Sequence, residues 1–507
     1  MRWAWMVAVA ALLFVAASGA SFAEERVRAR VTQGAIEGVR QDGVDRFLGV
    51  PYAAAPVGEL RWRAPVAAPA WSGVRPAMEY GASCMQAPRP PWGPYTREYL
   101  VQARPPSEDC LTLNVWTPSA RRSGRLPILV WIHGGAFIGG GSSVPIYDGA
   151  ALARRGIIVV SLNYRLGTFG FFAGEDGAAN FAVLDAIEAL RWLRSNAAAF
   201  GGDGERITIA GQSAGAALVN ILLVAPEAQG LYAGAISQSM PVGGVRMRSR
   251  AEAEHARRLF LRAFGVDSAD ALRAVAPERI LEATQLITPG PMAPIIDGVT
   301  LPGDPLALAM EGRTSAVPLL AGVTADESTF DGGLLGYRTL FAERFGARAQ
   351  RFLQLYPAAN DLEARAMARA SNRDRLVLGL AQWTHRSAGR LHLYMFSHVE
   401  PGPGASAFGA FHSSEIPYAF GTLGVAPERG FRDEDHAVSS RMTSYWANFT
   451  KRGDPNARGL PEWPAATRAA PTIMELGGGW APLARPDQDK AAFFSEYFAD
   501  DGRATLF

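Results

Sequence analysis

Short runs of apolar and β-branched residues alternate along the chain with longer segments in which apolar positions recur every three or four residues. The runs with the length and composition of buried strands are residues 126–132, 156–162, 207–210, 317–321 and 392–396. Between the second and third runs, the apolar residues of 182–199 form one face of an amphipathic helix. This alternation predicts an α/β fold with a central, mostly parallel sheet flanked by helices.

Two further helical stretches interrupt the alternating pattern. Both are rich in Arg and Ala, and they lie near residues 251–283 and 337–379. We expect them to be insertions that pack over the sheet and over the active site. Since no fixed-period repeat, Pro/Ser-rich linker or break in composition divides the sequence, we predict a single domain over residues 24–507.

The N-terminal segment has the features of a secretory signal peptide. Arg2 precedes an apolar stretch over residues 3–17, and small residues then lead to Ala23. The apolar stretch is shorter than the ~20 residues that a membrane span needs. We therefore predict a signal peptide over residues 1–23, with cleavage after Ala23 or alternatively after Ala20. The mature protein should be exported, periplasmic or secreted, without a stable membrane anchor.

Composition and charge narrow the range of functions. The 507-residue chain is 48% hydrophobic and has a formal net charge of +2. Disordered proteins have low hydrophobicity and high net charge, so this class is excluded. A nearly neutral chain also offers no electrostatic basis for binding nucleic acid. With only two cysteines, Cys84 and Cys110, the chain is neither a disulfide-rich scaffold nor the holder of a four-cysteine zinc site. In an oxidising compartment these two cysteines can pair.

The sharpest chemical motif is Gly211-Gln212-Ser213-Ala214-Gly215. It follows the predicted strand 207–210 and precedes a helical run over residues 216–224. A serine in a tight turn from strand to helix projects its oxygen above the sheet, and flanking glycines leave room for that turn. Ser213 is therefore the predicted nucleophile.

A glycine-rich loop, His133-Gly134-Gly135-Ala136-Phe137, comes directly after the predicted strand 126–132. Glycines let backbone N–H groups face a cavity, where they can stabilise the oxyanion of an acyl-transfer transition state. A phosphate-binding P-loop is excluded because no Gly-Lys-Ser/Thr sequence follows. We expect His133 to shape this loop rather than to act as a base.

A nucleophilic serine needs a basic histidine and an acid that orients it. Among seven histidines, His412 is favoured because it lies in a late loop, after the predicted strands. The acid should follow a strand between the two, and residues 317–327 end in the adjacent carboxylates Asp326 and Glu327. Spacing alone does not separate these two.

Several short stretches distributed along the mature sequence are typical of one enzyme family. They are Phe47-Leu-Gly-Val-Pro-Tyr-Ala53, Glu59-Leu-Arg-Trp62, Glu108-Asp-Cys-Leu-Thr-Leu-Asn-Val115, Phe200-Gly-Gly-Asp203, Ser237-Gln-Ser239, Trp446-Ala-Asn-Phe449 and Gly453-Asp-Pro-Asn456. In these stretches the chain resembles the type-B carboxylesterases, the cholinesterase-like branch of the α/β-hydrolase family, as a bacterial secreted member. The resemblance implies the α/β-hydrolase fold and a serine hydrolase that cleaves carboxylic esters through an acyl-serine intermediate.

The resemblance also assigns residues. Its Gly-x-x-x-Asp-Glu stretch places the acid at Glu327, and its His-x-x-Glu-x-Pro-Tyr stretch places the histidine at His412. The implied oxyanion donors are Gly135, Ala136 and Ala214, and the implied disulfide joins Cys84 and Cys110. Many relatives carry Glu where this chain has Gln212, and the loss of that charge argues against a cationic substrate.

The expected partner is a small-molecule ester, with no metal and no cofactor. His412 and Glu415 have a spacing that suits a metal, but no His-Glu-x-x-His motif and no second cluster accompany them. Hydrolysis of amides, carbamates or lactones by the same residues is the alternative function. A non-catalytic cholinesterase-like binding protein is a second alternative, disfavoured because serine, glutamate and histidine are all present. The oligomeric state is left open by the sequence.

Overall fold

A computed structural model describes residues 25–120, 125–174, 177–287, 293–386, 389–500 and 502–505. The predicted signal peptide lies outside these residues. The strands are β1 (Glu25–Val31), β2 (Gly34–Gln41), β3 (Val44–Pro51), β4 (Val74–Pro76), β5 (Thr112–Pro118), β6 (Leu126–Ile132), β7 (Ile158–Leu162), β8 (Gly202–Gln212), β9 (Gly234–Gln238), β10 (Arg248–Ser249), β11 (Ile295–Ile296), β12 (Leu319–Thr324), β13 (Leu391–Phe396) and β14 (Ile473–Leu476).

The described helices alternate with these strands and flank them. They are α1 (Arg97–Leu100), α2 (Ala150–Ala153), α3 (Gly167–Phe171), α4 (Phe181–Asn196), α5 (Ala214–Leu222), α6 (Arg250–Phe264), α7 (Ala269–Arg273), α8 (Pro277–Ile287), α9 (Pro305–Met310), α10 (Leu334–Phe345), α11 (Ala349–Leu355), α12 (Asp361–Ala381), α13 (Ala405–Phe408), α14 (Ile416–Phe420), α15 (Asp433–Arg452) and α16 (Gln488–Ala499).

Most of the strands form one large sheet in the order β1-β2-β3-β5-β7-β6-β8-β9-β12-β13-β14, with β4 paired to β2. The pairs from β1 to β7 along this order are antiparallel. The pairs from β7 to β14 are parallel. The predicted α/β-hydrolase architecture, with a mostly parallel central sheet between helices, is confirmed.

The parallel half of the sheet forms the core because both of its faces are covered. Residues of β7 and β9 are buried along their whole lengths, and α4, α5 and α15 pack against the central strands. The five strands predicted from apolar runs all exist. β8 starts earlier than predicted because Gly202 also pairs with Leu126, before a register shift in the ladder.

Strands β1 to β5 are absent from the prediction, as are β9, β10, β11 and β14. In β1 and β2, buried residues are interspersed with exposed ones, so these strands lack the continuous apolar run that marks the buried ones. The helical insertions are present as α6–α8 and α10–α12. They enclose aromatic clusters of their own, centred on Phe260 and on Phe341.

Candidate active site

The candidate site lies where the parallel strands end. Ser213 follows β8 directly, and the glycine-rich loop follows β6. Glu327 comes three residues after β12, and His412 lies in the loop between α13 and α14. Because parallel strands present their carboxyl ends at one edge of the sheet, residues distant in sequence meet there.

Ser213 occupies a strained turn between β8 and α5. Its φ of 58° and ψ of −125° lie outside the regions that side-chain-bearing residues prefer. A Cβ on Gly215 would lie 2.0 Å from the carbonyl oxygen of Ile132, and one on Gly211 would lie 2.5 Å from Gly215 itself. The Ser213 N–H donates to the Gln238 carbonyl at 2.9 Å, which ties the turn to β9. The two glycines therefore allow the turn to form where the sheet and α5 touch.

The structure separates the two adjacent carboxylates. Glu327 Oε2 accepts a short hydrogen bond from His412 Nδ1, and Glu327 Oε1 accepts the Thr324 N–H at 2.6 Å. Asp326 is engaged elsewhere, because its carboxylate accepts from Arg373 at 2.8 Å and from the Ala410 N–H at 3.0 Å. Of the two acids, only Glu327 is hydrogen-bonded to the imidazole in this structure.

Hydrogen bonds define the orientation of His412. Since Glu327 accepts the Nδ1 proton, Nε2 carries the lone pair that a base needs. The Gln212 side-chain amide nitrogen lies 3.1 Å from Nε2 and donates to that lone pair, so this hydrogen bond must break before Nε2 can accept a proton. On the backbone, the Tyr95 hydroxyl donates to the His412 carbonyl at 2.5 Å. Two hydrogen bonds therefore hold the imidazole, and a third holds the backbone of His412.

The charge of His412 is set by two opposed effects. Burial disfavours the imidazolium, but the carboxylates of Glu327 and Glu415 and the hydrogen bond to Glu327 favour it more, so the pKa of His412 is raised above its usual value. Glu415 is itself fully buried, and burial together with the charge of Glu327 raises its pKa to about 7. It accepts weak hydrogen bonds from Gln238 at 3.3 Å and Ser239 at 3.2 Å.

The glycine-rich loop after β6 turns sharply beside Ser213. Gly135, Ala136 and Phe137 all have positive φ, at 115°, 56° and 62°. A Cβ on Gly135 would lie 2.0 Å from the Gly139 carbonyl oxygen, so the loop folds tightly on itself. Gly135 and Ala136 line the same cavity as Ser213, and Ala214 is the first residue of α5. Their roles as oxyanion donors stay predictions.

His133 is built into the base of this loop. It is buried, its ring stacks on Tyr164 with centroids 4.5 Å apart, and its Nδ1 lies 2.8 Å from the Gly134 carbonyl. Burial lowers the pKa of His133 to about 4, so the ring is neutral at physiological pH. This environment agrees with a loop-shaping role.

The segment after Cys84 is hydrogen-bonded to the backbone just after the glycine-rich loop. Cys84 and Cys110 form a disulfide, as the resemblance implies. Two residues later, the Gln86 amide donates to the Gly140 carbonyl at 2.7 Å and accepts the Gly140 N–H at 2.9 Å. Gln86 also donates to the Cys84 carbonyl at 3.0 Å. The disulfide thus anchors the segment that positions the loop.

One cavity of about 740 Å³ joins these parts. Ser213, Glu327 and His412 all line it, together with Gly135 and Ala136. The opposite wall is aromatic and comes from the loop closed by the disulfide and from residues near His412: Trp92, Tyr95, Tyr99, Phe408 and Phe411. Tyr99 belongs to α1 and Phe408 to α13, and among the described residues none of α6–α8 or α10–α12 lines the cavity.

Comparison with known proteins places this chain in a family. The model of the carboxylesterase family matches residues 24–339 and 364–488. The chain belongs to the carboxylesterase family. As a carboxylesterase, it is a carboxylic-ester hydrolase with the α/β-hydrolase fold.

Characterised carboxylesterases and related hydrolases match along most of their length. The fumonisin B1 esterase of Sphingopyxis macrogoltabida is 35% identical over 88% of this chain and 85% of that protein. The phenmedipham hydrolase of Pseudarthrobacter oxydans is 35% identical over 90% and 97%. The para-nitrobenzyl esterase of Bacillus subtilis is 34% identical over 85% and 91%. A solved PNB esterase superposes with a TM-score of 0.79 at 31% identity, covering 92% of this chain and 99% of that one.

Some residues of the carboxylesterase site carry no signal in the sequence. Gln86 and Tyr95 act through single side chains that reach backbone groups of remote loops, and neither lies in a motif. Within the described ranges, His, Cys, Asp and Glu residues form no group of three that could hold a metal ion. Among the same residues, no helix combines the length and apolar character needed to cross a bilayer.

Proposed function

We propose that this carboxylesterase cleaves its ester through an acyl-serine intermediate, with Ser213 as nucleophile, His412 as general base and Glu327 as its orienting acid. The observation that carries the proposal is the hydrogen bond from His412 Nδ1 to Glu327 in the cavity that Ser213 also lines. This bond holds the imidazole in the tautomer whose Nε2 accepts a proton. The strained turn at Ser213 adds support, because it is the geometry of a nucleophile elbow.

In acylation, Ser213 Oγ forms a bond to the ester carbonyl carbon while its proton moves to His412 Nε2. The carbonyl π electrons move to oxygen and give a tetrahedral oxyanion. When these electrons re-form the carbonyl, the bond to the alcohol oxygen breaks. The proton on Nε2 goes to that oxygen, so the alcohol leaves neutral and the acyl group stays on Ser213.

Deacylation repeats the sequence with water. Nε2 of His412 takes a proton from water as the water oxygen attacks the acyl carbon, and the second tetrahedral intermediate expels Ser213 Oγ. The proton returns to Oγ, which restores the serine and releases the carboxylic acid. Glu327 remains ionised throughout and stabilises the transient imidazolium.

The proposed oxyanion donors are the backbone N–H groups of Gly135, Ala136 and Ala214. Support comes from the positive φ angles at Gly135 and Ala136, which turn this part of the loop toward the cavity, and from the position of Ala214 at the start of α5. Loss of a single such donor typically costs roughly 10²–10³ in turnover. Preorganised amides should therefore matter as much as the triad.

Covalent labelling tests the nucleophile. We expect a fluorophosphonate to label the wild type at one site, and Ser213→Ala to lose both the label and the hydrolysis of p-nitrophenyl acetate. Ser328, which lines the same cavity, supplies the matched control. Label retained by Ser213→Ala and lost from Ser328→Ala would overturn the assignment of the nucleophile.

The two neighbouring carboxylates give a second test. Glu327→Gln should lower kcat by about 10⁴, because a neutral amide no longer selects the productive tautomer, as in related triads. Asp326→Asn should instead act mainly on stability, since Asp326 holds Arg373 and the Ala410 N–H. A larger kcat loss in Asp326→Asn than in Glu327→Gln would reverse the assignment of the acid.

We also propose that the protein is exported after cleavage of residues 1–23. The Cys84–Cys110 disulfide supports this, because such bonds persist mainly in oxidising compartments. Mass spectrometry of protein from the periplasm or the medium should give an N-terminus at Glu24 and no free thiol before reduction. An uncleaved protein that remains in the cytoplasm would contradict the proposal.

A further inference from the structure

Of the described charged side chains on the cavity wall, some are paired with an opposite charge and one is not. Asp326 is neutralised by Arg373, and Glu327 is bound to His412. Arg89 lines the same cavity. Throughout the part of the chain that the structure describes, no carboxylate lies within ion-pairing distance of its guanidinium. The cavity therefore exposes a cationic group without a counter-ion.

Arg89 is exposed to solvent, with one side of its guanidinium against the glycine-rich loop. Its guanidinium runs along the glycine-rich loop, such that a Cβ on Gly139 would lie 3.0 Å from Nε and 3.1 Å from Cζ. The surrounding protein atoms lower the pKa of Arg89 by burial. An exposed guanidinium that is not already ion-paired can bind a carboxylate through charge-assisted hydrogen bonds.

The position of Arg89 relates it to the reacting ester. The Gly139 N–H donates to the Gly135 carbonyl at 3.1 Å, so Arg89 flanks the loop that carries the proposed oxyanion donors. Because Arg89, this loop and Ser213 line one cavity, a substituent of an ester bound there can extend to Arg89. The neutral Gln212 in front of Ser213 adds no negative charge that would repel an anionic substituent.

We propose that Arg89 binds a carboxylate which the substrate carries in addition to its scissile ester. The substrate class is thus a carboxylate-bearing ester, with an apolar spacer that the aromatic wall of the cavity accommodates. The planar guanidinium suits this role because its parallel N–H groups match the two oxygens of a carboxylate. The proposal rests on the proposed function, because it assumes that the ester carbonyl lies at the loop beside Ser213.

Matched pairs of neutral and anionic esters test the proposal. On the alcohol side, 4-acetoxybenzoate is compared with 4-acetoxybenzamide. On the acyl side, monomethyl adipate is compared with the methyl ester of the corresponding terminal amide. The readout is the ratio of kcat/KM for the acid to kcat/KM for the amide. This ratio is independent of the fraction of folded enzyme.

In the wild type, the ratio should favour the acid in at least one pair, and that pair identifies the side that carries the carboxylate. Arg89→Gln should lower this ratio about tenfold, the size of one charge-assisted interaction at a solvent-accessible site. Arg89→Lys should retain part of it, since the charge remains while the planar fork is lost. High salt should also reduce the preference.

The control is Arg104→Gln, which removes the same charge from the same disulfide loop. Arg104 is paired with Glu79 and does not line the cavity, so its variant should keep the wild-type ratio. Unchanged ratios in Arg89→Gln for both pairs, or an equal fall in Arg104→Gln, would overturn the proposal. Turnover of the neutral esters and fluorophosphonate labelling would persist in that case. Their loss in the wild type would instead indicate failure of the proposed function.

Discussion

Replacing Gln86 by methionine should slow catalysis although Gln86 is distant in sequence from every proposed catalytic residue. The amide makes three hydrogen bonds, two with the backbone of Gly140 and one with the Cys84 carbonyl. Methionine keeps the volume of the buried side chain but can replace none of these bonds. Gly140 would lose its tie to the disulfide segment, and the loop that carries Gly135 would be less rigid.

The size of the effect follows from these contacts. Three neutral hydrogen bonds at about 0.5–1.5 kcal/mol each give a loss of unfolding free energy of about 1.5–4.5 kcal/mol. Complete loss of an oxyanion donor sets an upper limit of about 10²–10³ on the fall in kcat. Because Gln86 acts on the donors through the loop, we expect a fall of about tenfold, or about 1.4 kcal/mol in the activation barrier.

Steady-state hydrolysis of p-nitrophenyl acetate, normalised to sites labelled by fluorophosphonate, measures the change in kcat. Both kcat and kcat/KM should fall by the same factor, as for an interaction that matters only in the transition state. Gln86→Glu should be intermediate, since it still accepts the Gly140 N–H. The control is Gln229→Met, because Gln229 makes comparable hydrogen bonds far from the cavity. A wild-type kcat in Gln86→Met, an equal loss in Gln229→Met, or a change in KM alone would refute this reasoning.

Three further predictions address the charge near His412, the packing at Gly215 and the disulfide. Because the proposed base, His412, can accept a proton only when neutral and its pKa is raised, activity should fall on acidification with a midpoint above the usual 6.5. Glu415→Gln removes a charge that favours the imidazolium of His412. The midpoint of the pH–kcat/KM profile should therefore move to lower pH, and an unchanged or higher midpoint would contradict this. Gly215→Ala should lower the midpoint of urea unfolding and abolish most activity, because the added Cβ would lie 2.0 Å from a backbone oxygen. The control Gly424→Ala should change neither, because nothing lies within 4 Å of a Cβ there. Replacing both bridged cysteines by serine opens a loop with a sequence separation of 26. The chain-entropy model predicts that the unfolding free energy falls by up to about 3.5 kcal/mol. A loss below about 1 kcal/mol in denaturant titration would refute this estimate.

The sequence pattern is most informative where local structure and chemistry coincide. The apolar runs mark five strands of the sheet correctly because these strands are buried on both faces. The motif around Ser213 is recognisable because its glycines are required by close contacts within a few residues of the turn. In contrast, β1 and β2 escape prediction because solvent reaches part of each strand, which breaks up the apolar run.

The sequence by itself determined the alternation of strands and helices, the turn at Ser213 and the glycine-rich loop after β6, because each depends on neighbours along the chain. Only the tertiary structure distinguished Glu327 from Asp326 by direct contact, since the partner of each carboxylate lies in a remote part of the chain: 85 residues away for His412 and 47 for Arg373. The tertiary structure alone also showed that Arg89 lines the cavity and that, among the described residues, no carboxylate is paired with it. These features depend on which loops the sheet brings together at one edge. A local pattern of residues does not show which loops these are.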